Sequence, residues 1–355
     1  MRILVVNAGS SSLKLRLLAA DDTVERTADV EPDVEQLGFL EDWPRPDAVG
    51  HRVVHGGTRF TDPVVIDELV RRALFDLTAL APLHQPKSLA GLDAVGKLLP
   101  DVPAVACFDT AFHTTIPTAA ATYAVPKQWR DRYAIRRYGF HGLSHAYCAR
   151  RVAELLSPGL RLVTCHLGAG ASLTAIADGR SIDTTMGFTP LEGLVMATRS
   201  GTVDPGLVLW LEEHENLSPH EVATALEERS GLTALAGTGD MREIDTAAAN
   251  DEPDAVLALD VYTHRLVAGV AAMAAALGGL DVLAFTGGVG EKSATVRRRA
   301  AERLGFLGVT IDADRNDHVD GDTDITGRDA GARTLVVTAR EDLEIAHGTR
   351  QALSR

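Results

Sequence analysis

The sequence predicts a duplicated α/β protein of two domains, and three observations lead to that class. Its 355 residues allow two hydrophobic cores at roughly 150 residues per domain. Strand-like and helix-like apolar patterns alternate through both halves. One local plan also occurs twice, about 160 residues apart. Residues 2–18 and 161–177 each read as an apolar strand, a turn of small residues and a second strand.

In chain order, the first hairpin turns through Asn7, Ala8, Gly9, Ser10, Ser11 and Ser12 into the alternating run Leu13-Lys14-Leu15-Arg16-Leu17. Further extended segments are expected over 48–54 and 104–108, with helices over 67–80, 88–99 and 143–156, where apolar residues recur at three-to-four spacing. The second hairpin turns through residues 167–172, and a third strand follows Asp178-Gly179. Helices are then expected over 203–215, 218–230, 255–277 and 293–304, with strands over 281–286 and 334–338. Ser218 before Pro219 is an N-cap followed by a proline suited to the first turn, and Ser293 is a second start signal. The expected division is 1–147 and 148–343, with a terminal helix over 344–355 packing back on the first domain.

Composition narrows the function. The chain carries 35 Lys and Arg against 49 Asp and Glu, a formal charge of −14, which argues against a broad nucleic-acid or anionic-membrane surface. Cys107, Cys148 and Cys165 cannot all pair and show no CxxC spacing, so a reducing, cytoplasmic setting is expected. No leader cleavage site follows the apolar start. The longest apolar stretch, 266–280, has 15 residues and reads as a buried helix rather than a membrane span.

Both hairpin turns suit phosphate, because small side chains let backbone amides approach an anion and hydroxyls add donors. The second, His166-Leu167-Gly168-Ala169-Gly170-Ala171-Ser172, lacks the third glycine of a dinucleotide fingerprint. A third cluster, Gly287-Gly288-Val289-Gly290-Glu291, joins an apolar strand to a helix, a common seat for a nucleotide. Three other patterns are set aside. Residues 91–97 resemble a P-loop, but Leu98 stands where Ser or Thr is required, within a helical pattern. Asp312, Asp314 and Asn316 begin like a calcium loop that lacks its glycine and its final glutamate, and read as a solvated acidic loop. His141 and His145 have no intervening glutamate for a zinc site. Ionisable residues inside or at the ends of apolar strands remain: Arg52, Asp109, His141 and Arg199. Each alone suits a structural ion pair or cap as well as catalysis. Together Arg52, His141 and Arg199 suit phosphoryl transfer, in which catalysis is mostly positioning and electrostatics.

Ten ordered blocks then resemble the acetate kinase (acetokinase) family: ILVVNAGSSSLK, GHRVVHGG, PLHQP, FDTAFHTTIP, RRYGFHGLSH, HLGAGAS, TRSGTVDPG, GDMRE, FTGGVGE and EDLEIA. The resemblance implies the duplicated actin-like ATPase (ribonuclease H-like) fold, with the active site in the cleft between the domains. It implies Mg²⁺- or Mn²⁺-dependent, reversible transfer between ATP and acetate, giving ADP and acetyl phosphate, in a homodimer. By position, Asn7 and Glu341 would hold the hydrated metal, and Lys14 would serve the nucleotide phosphates. Arg52 and Arg199 would grip the carboxylate and the phosphoryl group, His141 would donate to the phosphoryl, and Asp109 would be the essential carboxylate. His166, Leu167, Gly168, Ala169 and Gly170 would line the phosphates. Asp240, Met241 and Arg242, with Gly288, Val289, Gly290, Glu291 and Lys292, would hold the adenosine. Val54, Leu83, Phe140 and Pro190, beside Arg52, would form the acyl pocket. The family usually has Asn at Ala169, Lys292 and Arg340 and Thr at Leu143, and is several dozen residues longer between Ala19 and Val49. The alternatives are a propionate or other short-chain acyl kinase, and a nucleotide sensor or phosphatase on the same fold.

Overall fold

The structure is a computed structural model that describes residues 1–8, 13–31, 34–80 and 85–355. The first hairpin turn at 9–12 and Leu83 therefore lie outside the described residues. The chain divides into two compact units: Met1–Thr114, Phe140–Tyr147 and Arg340–Arg355 form the first, Thr115–Gly139 and Cys148–Ala339 the second.

The first unit contains β1 (Ile3–Ala8), β2 (Leu13–Leu18), β3 (Val24–Val30), β4 (Ala48–Val53), β5 (Val64–Val65) and β6 (Ala104–Phe108) in one sheet of order β3-β2-β1-β4-β6-β5. β1, β4 and β6 run parallel, and β2, β3 and β5 pair antiparallel to their neighbours. Alternation decides the faces. Leu4, Val6 and Val49 contribute to a cluster with Ala94 and Val95 of the helix Gln85–Leu98, whereas Ile3, Val5, Val105 and Cys107 meet Leu143, Ile345 and Ala346. The terminal helix Glu341–Leu353 is thus part of the first unit's core. The connection from β3 to β4 contains one 3₁₀ segment, Val34–Asp42, whose Leu37 and Leu40 are buried.

In the second unit β7 (Leu162–Leu167), β8 (Ala171–Ala177), β9 (Arg180–Thr184), β10 (Val282–Thr286), β11 (Thr323–Asp324) and β12 (Arg333–Val336) form a sheet of order β11-β12-β10-β7-β8-β9. The directions match as well as the order: β7, β10 and β12 are parallel, and the others antiparallel. The two units are therefore copies of one plan.

Several elements differ from the sequence reading. Thr115–Gly139 belongs to the second unit rather than the first, because Thr115 Oγ1 donates to the Ser181 carbonyl at 2.9 Å and Arg137 binds three successive carbonyls from the last residue of β9 onward. The helix expected over 67–80 stops at Asp76 and tightens to a 3₁₀ turn, Leu77–Leu80, where Gln85 Nε2 donates to the Leu74 carbonyl at 3.2 Å. The helix expected over 255–277 runs from Pro253 to Leu277, beyond the 15-residue apolar stretch, and is long and apolar enough to cross a bilayer. Asp260, His264 and Arg265 interrupt it, and Leu259, Tyr262, Leu266 and Val270 are buried in the second unit.

Three of the buried imidazoles in the first unit, His51, His55 and His113, are pulled down by burial to about 4 from the ordinary 6.5. They remain neutral in the fold, whereas the unfolded chain protonates them near 6.5. Their contribution is therefore intact above about pH 6.5 and is lost as pH falls toward 4. Calorimetry should show a melting temperature that declines from pH 7 to pH 5 with net proton uptake on unfolding. A flat profile would overturn this account.

Candidate active site

Asn7 ends near the C-terminus of β1, Arg52 near that of β4, and Asp109 follows β6. Adjacent parallel strands thus deliver three polar side chains to one edge of the sheet, the edge at which open α/β sheets bind ligands. Arg52 Nε and Nη2 donate to the Asp109 carboxylate at 3.0 and 2.6 Å, and Nη1 donates to Asn7 Oδ1 at 3.1 Å. Asn7 Nδ2 in turn donates to Glu341 Oε2 at 2.8 Å, and that oxygen lies 3.9 Å from Arg52 Nη1. Glu341 opens the terminal helix, so docking of that helix on the sheet brings a fourth functional side chain to the same edge.

Burial sets the electrostatics. The Asp109 side chain is 2% exposed, and burial pushes its carboxyl above the usual range against the opposing pull of Arg52. Burial also opposes the charge on Arg52, but attraction to Asp109 and Glu341 outweighs it and raises the guanidinium further. His141 sits one residue before the helix Gly142–Leu155 with φ 55°, in the left-handed region. The Gly142 N–H donates to the Asp109 carbonyl at 2.8 Å, and a Cβ on Gly142 would overlap that oxygen. This close approach fixes the backbone of His141 beside that of Asp109, and an uncommon backbone conformation at a candidate catalytic residue agrees with function. Phe140 and Val54 are buried in the same unit, with the Phe140 ring edge-on to His55 at 5.6 Å.

Among the described residues no three His, Cys, Asp or Glu form a metal cage. Asn7 Oδ1 and the Glu341 carboxylate nevertheless supply hard oxygen donors, and such a sparse set fits a Mg²⁺ that keeps most of its water and shares substrate phosphates. Lys14 is exposed and pairs opposite Asn7 in the β1–β2 register.

In the second unit His166 and Leu167 end β7, and Gly168, Ala169 and Gly170 form the turn, closed by Gly168 N–H to the Gly170 carbonyl at 3.0 Å. Thr286 of β10 pairs with His166, which places the glycine cluster beside this turn. The cluster is itself helical, Gly287–Lys292, rather than a turn before a helix. Glu291 uses its carboxylate internally: Oε1 accepts from Gly287 N–H at 3.1 Å and Ala339 N–H at 3.0 Å. Asp240 caps the helix Met241–Ala249 and pairs with Arg242, whose hydrogen bonds hold its carboxyl down at about 2, while the Met241 side chain is buried. Arg199 Nη1 donates to the Pro190 carbonyl at 3.0 Å.

Sequence reasoning missed a second buried guanidinium. Arg297 is 1% exposed; it donates to the Gly290 and Glu291 carbonyls at 2.9 and 2.8 Å and to Asn316 Oδ1 at 2.8 Å. Burial lowers it to about 10 from 12.5. Asn316 is therefore a buried partner on the short helix Ala313–Asp317, capped by Asp312, which corrects the reading of this run as a solvated acidic loop. The only hint in the sequence is the run Arg297-Arg298-Arg299 within an otherwise amphipathic helix, and it does not say which arginine turns inward.

Two copies of one sheet order, each with a hairpin whose strands lead into a candidate phosphate turn, together with the carboxylate–guanidinium cluster, define a phosphotransferase of the actin-like ATPase class. The family model of the Acetokinase family matches residues 33–347. An acetate kinase of Nostoc punctiforme is 50% identical over 311 residues, 86% of this chain and 76% of that one. The solved acetate kinase of Porphyromonas gingivalis superposes with a TM-score of 0.91 at 35% identity over 99% of each chain. A propionate kinase from Francisella tularensis superposes with 0.92, also at 35% and 99% of each. The chain belongs to the Acetokinase family.

Gly142→Ala should lower kcat by on the order of 10²-fold, because displacement of the Asp109 carbonyl misplaces both that carboxylate and His141. Steady-state kinetics alongside circular dichroism checks this; a folded variant with unchanged kcat would remove the contact from the active-site argument.

Proposed function

We propose that the chain transfers the γ-phosphoryl group of ATP to acetate, reversibly and by direct in-line displacement, giving acetyl phosphate and ADP. The observation that carries this reading is the Asn7–Arg52–Asp109–Glu341 network at the strand ends of an Acetokinase-family chain. An acetate oxygen attacks phosphorus while the bond to the ADP oxygen breaks. Acetate is ionised at neutral pH, so its attack needs no proton acceptor, and the main obstacle is repulsion between two anions. Arg52 and Arg199 offset that repulsion, and His141 donates to a phosphoryl oxygen as charge develops there. Asp109 acts mainly by orienting Arg52 through its two-pronged contact, with proton transfer secondary. A hydrated Mg²⁺ (or Mn²⁺) at Asn7 and Glu341 supplies charge neutralisation to the phosphates when bound. His166, Gly168, Ala169 and Gly170 receive the phosphates, and Asp240 to Arg242 with the glycine helix receives the adenosine. Lys292 adds a cation beside it.

Propionate is the competing acceptor, favoured by the equally good superposition on a propionate kinase. One methylene in an apolar pocket discriminates by only about 1–3 kcal/mol. Hydroxylamine trapping with ATP and acetate, propionate or butyrate tests the reading. Acetyl hydroxamate should form with the highest kcat/KM, and Arg199→Ala should lose kcat with ATP binding nearly intact. ADP release without hydroxamate would make the chain an ATPase or phosphatase; a propionate preference would change the acceptor.

We infer further that the chain is a cytoplasmic homodimer. The three free, buried thiols support a reducing compartment. The helix Pro205–His214 has no buried residue and exposes Leu207, Leu209 and Trp210, a patch suited to a second copy. Sedimentation should give twice the monomer mass, and Trp210→Glu should shift it toward monomer. A monomeric parent protein would overturn the assignment.

A further inference from the structure

A charged network in the second unit grips the stretch that follows β9. The Arg137 Nη1 donates to three successive carbonyls, of Thr184, Thr185 and Met186, at 3.0, 3.1 and 3.1 Å. Its Nη2 donates to Glu192 Oε1 at 2.9 Å, and Asp183 lies 3.9 Å from its Nε. The Tyr123 hydroxyl donates to Glu192 Oε2 and accepts the Phe188 N–H at 3.0 Å, and the Arg137 guanidinium lies over the Tyr123 ring at 5.6 Å. The Gly187 carbonyl accepts from Tyr138 N–H at 3.0 Å. Gly187 must be glycine, since a Cβ there would overlap both the Glu192 carboxylate and the Tyr123 hydroxyl. Each oxygen of Glu192 is therefore met by a different donor in the same small space.

What this grip holds is informative. Between Gly187 and Glu192 the chain passes through Pro190, whose carbonyl receives Arg199 Nη1 at 3.0 Å. The residue after Glu192 is clasped to the far side of the Arg199 loop: Gly193 N–H donates to Thr202 Oγ1 and Thr202 N–H to the Gly193 carbonyl, both at 3.0 Å. The Glu192 carboxylate is thus the fixed point between the acyl-pocket wall proposed at Pro190 and the guanidinium proposed to stabilise the phosphoryl group. An irregular turn has no ladder of its own, so side chains must satisfy its backbone and set its shape.

We propose that Glu192, held by Arg137 and Tyr123, is a positioning residue that sets Arg199 and Pro190 and thereby governs acyl-chain selection and the rate of phosphoryl transfer. The proposal rests on the acyl-kinase reading above. Burial and the Glu192 hydrogen bond both raise the Tyr123 hydroxyl well above its ordinary range, so it remains a donor at every working pH. Two acceptors facing two donors also explain why glutamine is no substitute: its amide would turn a donor toward either Arg137 or Tyr123.

The test compares the parent chain with Tyr123→Phe, Glu192→Gln and the double variant, assayed with acetate and propionate. Glu192→Gln should lower kcat by about tenfold or more and move the acetate-to-propionate ratio of kcat/KM toward unity. KM for ATP should stay within about twofold, as uniform nucleotide binding is untouched. Tyr123→Phe, which removes one hydroxyl and leaves the ring, should shift kcat and the ratio in the same direction. The double variant should be no worse than Glu192→Gln alone, because the two groups act as one unit. A Glu192→Gln chain that does not fold leaves Tyr123→Phe to carry the test. Folded variants with lower stability but unchanged kcat and acyl ratio would make the network a staple only and overturn the proposal. A parent chain that phosphorylates no carboxylate would overturn the acyl-kinase reading, and this role with it.

Discussion

The first unit's functional edge depends on the pairing of Arg52 with Asp109. A carboxylate as buried as Asp109 cannot remain without a partner, and removing one member of a buried pair typically costs about 3–5 kcal/mol. The guanidinium meets this need with one edge and reaches Asn7 with its remaining nitrogen, so a single planar group ties β1, β4 and the segment after β6. Lysine, as a point charge, could not span the same three positions. Asn7 then passes the constraint to Glu341, and the terminal helix is held both by Ile345 and Ala346 below and by this contact above. The geometry of the candidate site and the packing of the core are therefore one constraint here.

The second unit solves a related problem with the same side chain. Arg297 and Arg137 each bind a run of backbone carbonyls, one set in the glycine helix and the other at the end of β9 and beyond it. Glycine-rich and irregular segments allow close approach to a ligand but have few side chains with which to hold themselves in place. Fixing them from behind with a rigid multidonor group retains the open backbone while removing its freedom. Arg297 does so through Asn316 and carbonyl oxygens, with burial as the dominant influence on it, and its charge is correspondingly less favoured than that of an ordinary arginine.

Much of this architecture was legible because the hairpin signal is local. Alternation around Leu15 and the small residues before Ser172 specify strand–turn–strand from neighbours alone, and their recurrence exposes the duplication. Arg52 and Asp109 were legible for a similar reason, as ionisable residues in or at the ends of apolar strands, whereas Asn7 was singled out only through the family resemblance of its turn. What escaped was non-local. Nothing near Asn316 in sequence shows that Arg297, 19 residues earlier, will bury itself against it. Thr115–Gly139 looks like a continuation of the first domain until the Arg137 contacts are seen. Asp240 and Glu291 were read as groups facing the nucleotide, yet each spends oxygen capacity on neighbouring amides, so backbone fixation is part of their role.

The overall charge of −14 also acquires a more exact meaning at the site. With both carboxylates ionised, Arg52, Asp109 and Glu341 together carry one net negative charge, so this cluster on its own would repel a bare triphosphate. Such an arrangement suits the arrival of an anion already accompanied by a divalent cation, for which Glu341 and Asn7 would offer oxygen donors. It also accounts for the second arginine in the proposed function. Arg52 is largely neutralised by its short contact with Asp109, so it organises this cluster more than it lends charge to an incoming anion.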